Sequence, residues 1–121
     1  MKYYDITQMT AQEVFDASVS HVIEQGEPSI SDGGSCLYRS NKGNLACAAG
    51  VFLTDEQAID MEGEYWTAFK NPSRGWHEEL IDDLQSDHDN NIKSIAFVEK
   101  FKIEAKRTAE RFNLEWNHER A

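Results

Sequence analysis

Two capping boxes divide this chain. Thr10-Ala11-Gln12-Glu13 and Thr54-Asp55-Glu56-Gln57 each set a threonine hydroxyl where it accepts from the backbone N–H three residues on. In each, a Glu or Gln side chain reaches back to the threonine N–H. Each box therefore opens a helix. After the first, Val14, Phe15, Val19, Val22 and Ile23 share one face at a 3.6-residue period. Met9 can staple against Val14, and Gly26 with Pro28 ends the helix. The second helix carries acids in its first turn, where the helix dipole favours them, and stays short because Gly63 follows.

The segment between the boxes is of another kind. Residues 27–35 form a loop containing Asp32-Gly33-Gly34. Two apolar arms follow, Cys36-Leu37-Tyr38-Arg39 and Leu45 to Leu53, around the turn Ser40-Asn41-Lys42-Gly43-Asn44. That pattern predicts a β-hairpin. Within the second arm, Ala46-Cys47-Ala48-Ala49-Gly50 has side chains small enough for another backbone to pack tightly across it. The same run could also open a short buried helix.

Beyond the second box, Tyr65, Trp66 and Phe69 crowd a stretch whose own state is open, and Asn71-Pro72-Ser73-Arg74-Gly75 breaks the chain. Helical periodicity returns from Trp76 to about His88. Trp76, Leu80, Ile81 and Leu84 fall on one arc, with Glu78, Glu79, Asp82, Asp83 and Asp89 opposite. Asp89-Asn90-Asn91 ends that helix. A longer one spans about Lys93 to Asn113, burying Phe97, Val98, Phe101, Ala105, Ala109 and Phe112. Lys100, Lys106, Arg107 and Arg111 face outwards beside Ile103. The 121 residues thus predict a single α+β domain: a small antiparallel sheet from a hairpin around residues 36–53, covered by three to four helices.

Charge is distributed unevenly. Residues 54–91 hold eleven carboxylates against Lys70 and Arg74, a net of −9, while residues 1–53 carry −3 and residues 92–121 carry +2. Six carboxylates between Glu78 and Asp89 fall about one per 3 Å of helix axis, close to the phosphate spacing of one DNA strand. Such a surface repels nucleic acid and anionic membrane and favours a basic partner. Glu78, Glu79, Asp82, Asp83 and Asp89, joined by Asp55, Glu56, Asp60 and Glu62, are the expected partner-facing residues. A solvated helix face is the plainer alternative. No apolar run reaches membrane-spanning length. With two cysteines and no export signal in Met1-Lys2-Tyr3-Tyr4-Asp5, a reduced, cytoplasmic protein is expected.

Chemistry is less well advertised. Cys36, Cys47, His21, His77, His88 and His118 lack the short Cys-x-x-Cys or helical His-pair spacing of zinc sites, so neither metal nor cofactor is expected. His77 and His88 would stand about 16 Å apart on one helix, too far to share a metal. No motif places either cysteine as a nucleophile, and buried, reduced thiols are expected. No phosphate-cradling glycine pattern occurs. Tyr38 and Arg39 mark a second possible ligand position over the hairpin. No catalytic residue is assigned.

Cys36-Leu37-Tyr38-Arg39, then Gly43, Ala46-Cys47-Ala48 and Gly50, then Asp55 and Glu62-Gly63, resemble a group of small bacteriophage and prophage proteins with no assigned activity. Leu84-Gln85-Ser86-Asp87-His88-Asp89 matches their downstream Leu-Gln-x-x-His-Asp, and the resemblance covers roughly residues 10–115. It implies a phage origin and carries over no functional residue. By analogy with other small acidic phage proteins, the expectation is a non-enzymatic protein that binds and inhibits a host protein with a basic, nucleic-acid-handling surface. An anti-defence inhibitor in the host cytoplasm is one example of what this expectation describes. The rival expectations are a small-ligand-binding or Cys/His-dependent enzyme with its site over the hairpin, and a homo-oligomeric assembly protein joined through residues 65–69.

Overall fold

The computed structural model describes residues 5–31, 34, 36–40, 45–68, 72–73 and 75–119. The predicted turn at residues 41–44 lies outside them. So do Met1 to Tyr4, Asp32, Gly33, Phe69, Lys70, Asn71 and Arg74.

Helix α1 spans Ala11–Gln25, and its capping box forms in full. Glu13 N–H donates to Thr10 Oγ1 (3.1 Å), and Thr10 N–H donates to Glu13 Oε1 (2.9 Å). Gly26 ends the helix at φ 76°, a left-handed conformation that glycine adopts without a Cβ penalty. The second box opens α2, Asp55–Met61, with the same reciprocal bonds between Thr54 and Gln57.

Strands β1 (Arg39–Ser40) and β2 (Leu45–Ala46) pair antiparallel, Arg39 opposite Ala46 and Ser40 opposite Leu45. The hairpin ladder is therefore shorter than predicted. After Ala46 the chain leaves the sheet, turns at Ala48–Ala49 and winds into a 3-10 turn over Gly50–Phe52. The small side chains are the reason. A methyl group on Gly50 would lie 1.9 Å from the Tyr38 carbonyl oxygen, so only glycine lets these backbones meet. Side chains from two helices satisfy the backbone groups that a longer strand would have paired. Ser18 Oγ donates to Ala48 O (2.8 Å), and Ala49 N–H donates to Gln85 Oε1 (2.9 Å). Gln25 bonds both the N–H and the carbonyl of Ala46 at 3.0 Å, which blunts the edge of β2.

Helices α3 (Glu78–Asp89) and α4 (Phe97–Arg111) pack on α1 and on each other. Phe15, Val19, Leu80, Ile81, Leu84, Phe101 and Ala105 are buried between them, with Phe52, Leu53, Met61 and Trp66 completing the core. Ile103 is exposed, as its place on the wheel predicts, whereas Phe112 is only half-buried. Among the described residues the architecture is a small α+β domain with four α-helices and a two-stranded antiparallel sheet.

Two helix starts fall later than the periodicity predicts. His77, at φ 55°, precedes α3, so Trp76 lies off the buried arc and is 49% exposed. Residues 91–94 form a turn closed by Ser94 N–H on Asn91 O (3.0 Å), and α4 begins only at Phe97. After α4, Asn113 takes φ 57° and the chain returns along α1. There Gln12 bonds both backbone groups of Glu115 (2.9 and 3.1 Å), and buried His118 bonds Asp16 (2.8 Å). No helix among the described residues is long and apolar enough to cross a membrane.

Candidate functional site: an acid-lined cleft between the hairpin and α3

The carboxylates expected to face one partner divide into outward and anchored groups. Glu79 of α3 and Glu56 and Asp60 of α2 are exposed, and Glu78 and Asp82 are half-buried. Asp83 is held by Arg111, whose Nε and Nη2 both lie 3.0 Å from Asp83 Oδ2. The last turn of α4 thus brings a cation onto a face that the helical wheel of α3 alone leaves uninterrupted. Asp55 pairs with the Arg39 guanidinium. Asp87 turns inward and accepts from Thr108 Oγ1 (2.6 Å); burial raises its carboxyl to about 6.

Asp89 departs furthest from expectation. It is a junction rather than a solvent-facing charge. Gln85, four residues earlier and so on the same helix face, donates to Asp89 Oδ1 (2.8 Å). His88 Nδ1 meets the same oxygen at 2.9 Å, and the Cys36 thiol bonds this carboxylate from the hairpin side. His88 is fully buried against Phe97, and its Nε2 accepts the Ser29 backbone N–H (3.2 Å). That bond places the ring proton on Nδ1, where it is donated to Asp89. Ser29, His88 and Asp89 therefore form a structural chain and not a nucleophile relay. The Ser29 backbone, not its hydroxyl, meets the imidazole, and Ser29 and His88 are both fully buried.

Between this junction and the hairpin lies a cleft of about 480 Å³. Cys36 to Tyr38 form one side and α3 the other, with the loop of residues 62–66 across the end. Four carboxylates line it: Glu62, Glu64, Asp82 and Asp89. Tyr38 organises the loop, donating its N–H to Glu62 Oε1 (3.0 Å) and its hydroxyl to the Glu64 carbonyl. The Tyr65 ring stands 86% exposed at the cleft. Desolvation, then the charges of Asp83, Glu78 and Asp89, hold the Asp82 carboxyl above its ordinary range. No lysine or arginine lines the cleft among the described residues.

Arg39 lies outside this cleft. Its guanidinium bonds Asp55 and the carbonyls of Leu53 and Gly50, so Tyr38 and Arg39 are not brought into one ligand site. The thiols are poorly suited to nucleophilic chemistry, because burial pushes Cys36 and Cys47 up to about 12. His21 bonds Ala46 O (3.1 Å), tying α1 to β2, and His77 bonds Met9 O (2.8 Å), tying the start of α3 to the segment before α1. Among the described residues, no group of three or more His, Cys, Asp or Glu is placed to hold a metal ion.

Sequence reasoning missed Gln85, Glu64 and Tyr65 as parts of the site. Gln85 carried a local signal, since it stands four residues before Asp89 on one helix face. It spans from Ala49 N–H to Asp89. Compared with protein-family models, curated proteins and solved structures, the chain matches none of them.

Proposed function

We propose that this chain is a non-enzymatic, acidic interaction protein of phage type. It docks on a basic, nucleic-acid-handling surface of a host protein in the host cytoplasm and inhibits it, acting as an anti-defence inhibitor. The observation that carries this reading is the convergence of Glu62, Glu64, Asp82 and Asp89 on one cleft that no described lysine or arginine lines. Exposed Glu56, Asp60 and Glu79 extend the negative field around it, and a field of one sign accelerates encounter with a basic surface. Exposed Tyr65 adds apolar area at the cleft, and exposed Ile59 adds more beside Glu62, of the kind that anchors protein interfaces. A binding role also accords with thiols held protonated, Cys47 buried and Cys36 half-buried, and with histidines engaged in structural bonds.

A small-ligand reading draws on the same cleft, since the position over the hairpin and the acidic face meet there. The lining charge then calls for a cationic ligand. The docking reading is tested by capturing partners from host lysate at low and high salt, then measuring association with each recovered protein. The triple variant Glu56→Lys, Asp60→Lys, Glu79→Lys should associate several-fold more slowly with an unchanged fold. Equal rates for variant and parent would refute docking through this face.

A further inference from the structure

We propose that the cleft between the hairpin and α3 receives one planar guanidinium, presented by an arginine side chain of the basic partner. This inference rests on the docking reading and names the group that reaches deepest. The cleft has two banks of acceptors. Glu62 and Glu64 come from the loop after α2, while Asp82 and Asp89 come from α3, about 10 Å apart along its axis. Glu62 and Asp89 are already oriented, the first by the Tyr38 N–H and the second by Gln85, His88 and Cys36. A ligand entering between them meets carboxylates that need little reorganisation.

The second feature is aromatic. Tyr65 keeps its ring 86% exposed at the cleft, where it contributes nothing to the core. A flat cation can stack on such a ring while its N–H groups reach carboxylates on either side. Guanidinium fits this combination better than ammonium. It carries five donors in a fixed plane and is less strongly hydrated, whereas lysine presents a compact, hydrated point charge. Anions are repelled by the lining.

The test uses the full chain, labelled for NMR, and short peptides of sequence Gly-Gly-X-Gly-Gly with blocked ends. X is arginine, lysine or citrulline, the last a neutral isostere. The arginine peptide should shift the backbone signals of Tyr65, Asp82 and Asn90 saturably, binding about five-fold tighter than the lysine peptide. The citrulline peptide should produce no saturable shift. Tyr65→Ala should remove most of the preference for arginine over lysine, and Asp82→Asn should weaken both. Glu99→Gln, on α4 and outside the cleft, should change neither. Should free zwitterionic arginine bind more tightly than the blocked peptide, the site belongs to a small metabolite and the proposal falls. It also falls if no arginine peptide saturates, or if Asp82→Asn and Tyr65→Ala both bind like the parent. Because the Glu56, Asp60 and Glu79 variant leaves the cleft intact, slowed docking with no arginine binding would overturn this inference alone. Arginine binding with unimpaired docking would overturn only the docking reading.

Discussion

Thr108 Oγ1 donates to Asp87 Oδ2 at 2.6 Å across the interface of α3 and α4, inside the core. Thr108 in turn accepts from Arg111 Nη2 (3.1 Å), so a carboxylate, a hydroxyl and a guanidinium are joined across two helices. Burial outweighs these bonds and raises the Asp87 carboxyl from 3.8 to about 6.

A pH dependence follows. The folded chain keeps the Asp87 proton where the unfolded chain has lost it. This group's contribution is therefore fully present below pH 3.8 and disappears as pH rises through about 6. Asp87→Asn keeps an acceptor for Thr108 without the charge. It should be more stable than the parent at pH 7 by roughly 1–3 kcal/mol, and the gain should vanish near pH 4. Urea unfolding at the two pH values measures this, and a difference independent of pH would contradict it.

The approach of Gly50 to Tyr38 makes a second prediction. A methyl group 1.9 Å from the Tyr38 carbonyl oxygen must push the 3-10 turn and β1 apart. Gly50→Ala should therefore destabilise by about 1–3 kcal/mol, the range for overpacked sites. It should also perturb the NMR signals of Glu62 and Glu64, which Tyr38 bonds. A variant as stable as the parent would show that the close approach is not required.

The buried stripe of α4 gives a third. Phe101 is wholly buried, whereas Ile103, two residues on, is 55% exposed. Phe101→Ala should lower stability by about 3–5 kcal/mol. Ile103→Asp should leave it nearly unchanged. Thermal unfolding distinguishes the pair, and similar losses for both would mean that the helix presents a different face.

Thiol reactivity supplies a fourth. With the Cys36 and Cys47 thiols pushed up to about 12, only about one molecule in ten thousand carries either thiolate at pH 8. Alkylation of the folded chain should be slower than that of the urea-unfolded chain by two orders of magnitude or more. Fast modification of Cys36 in the folded protein would contradict its bond to Asp89.

Local signals were legible in the sequence, and long-range ones were not. Capping boxes and 3.6-residue faces act within one or two turns, so α1, α2 and the buried side of α4 can be read directly. The run from Ala46 to Gly50 announces tight packing, but not that Ser18 and Gln85 replace its strand partner. A helical wheel cannot foresee Arg111 reaching Asp83 from another helix, or Cys36 reaching Asp89 from the hairpin. The return of the C-terminal segment depends on Gln12 with Glu115 and Asp16 with His118, pairs more than one hundred residues apart. Within the site, individual acids could be named from composition. Their sorting into outward, anchored and cleft-lining groups depends on tertiary contacts.

Association kinetics with a captured host partner test the central claim most directly. For docking through the acidic side of α2 and α3, the on-rate should fall steeply between 0.1 M and 1 M salt, as the Debye length shrinks from about 10 Å to about 3 Å. The Glu56→Lys, Asp60→Lys, Glu79→Lys variant should start slower and lose most of that salt dependence. An on-rate insensitive to salt and identical in parent and variant would contradict the claim and leave these carboxylates as a solvated face.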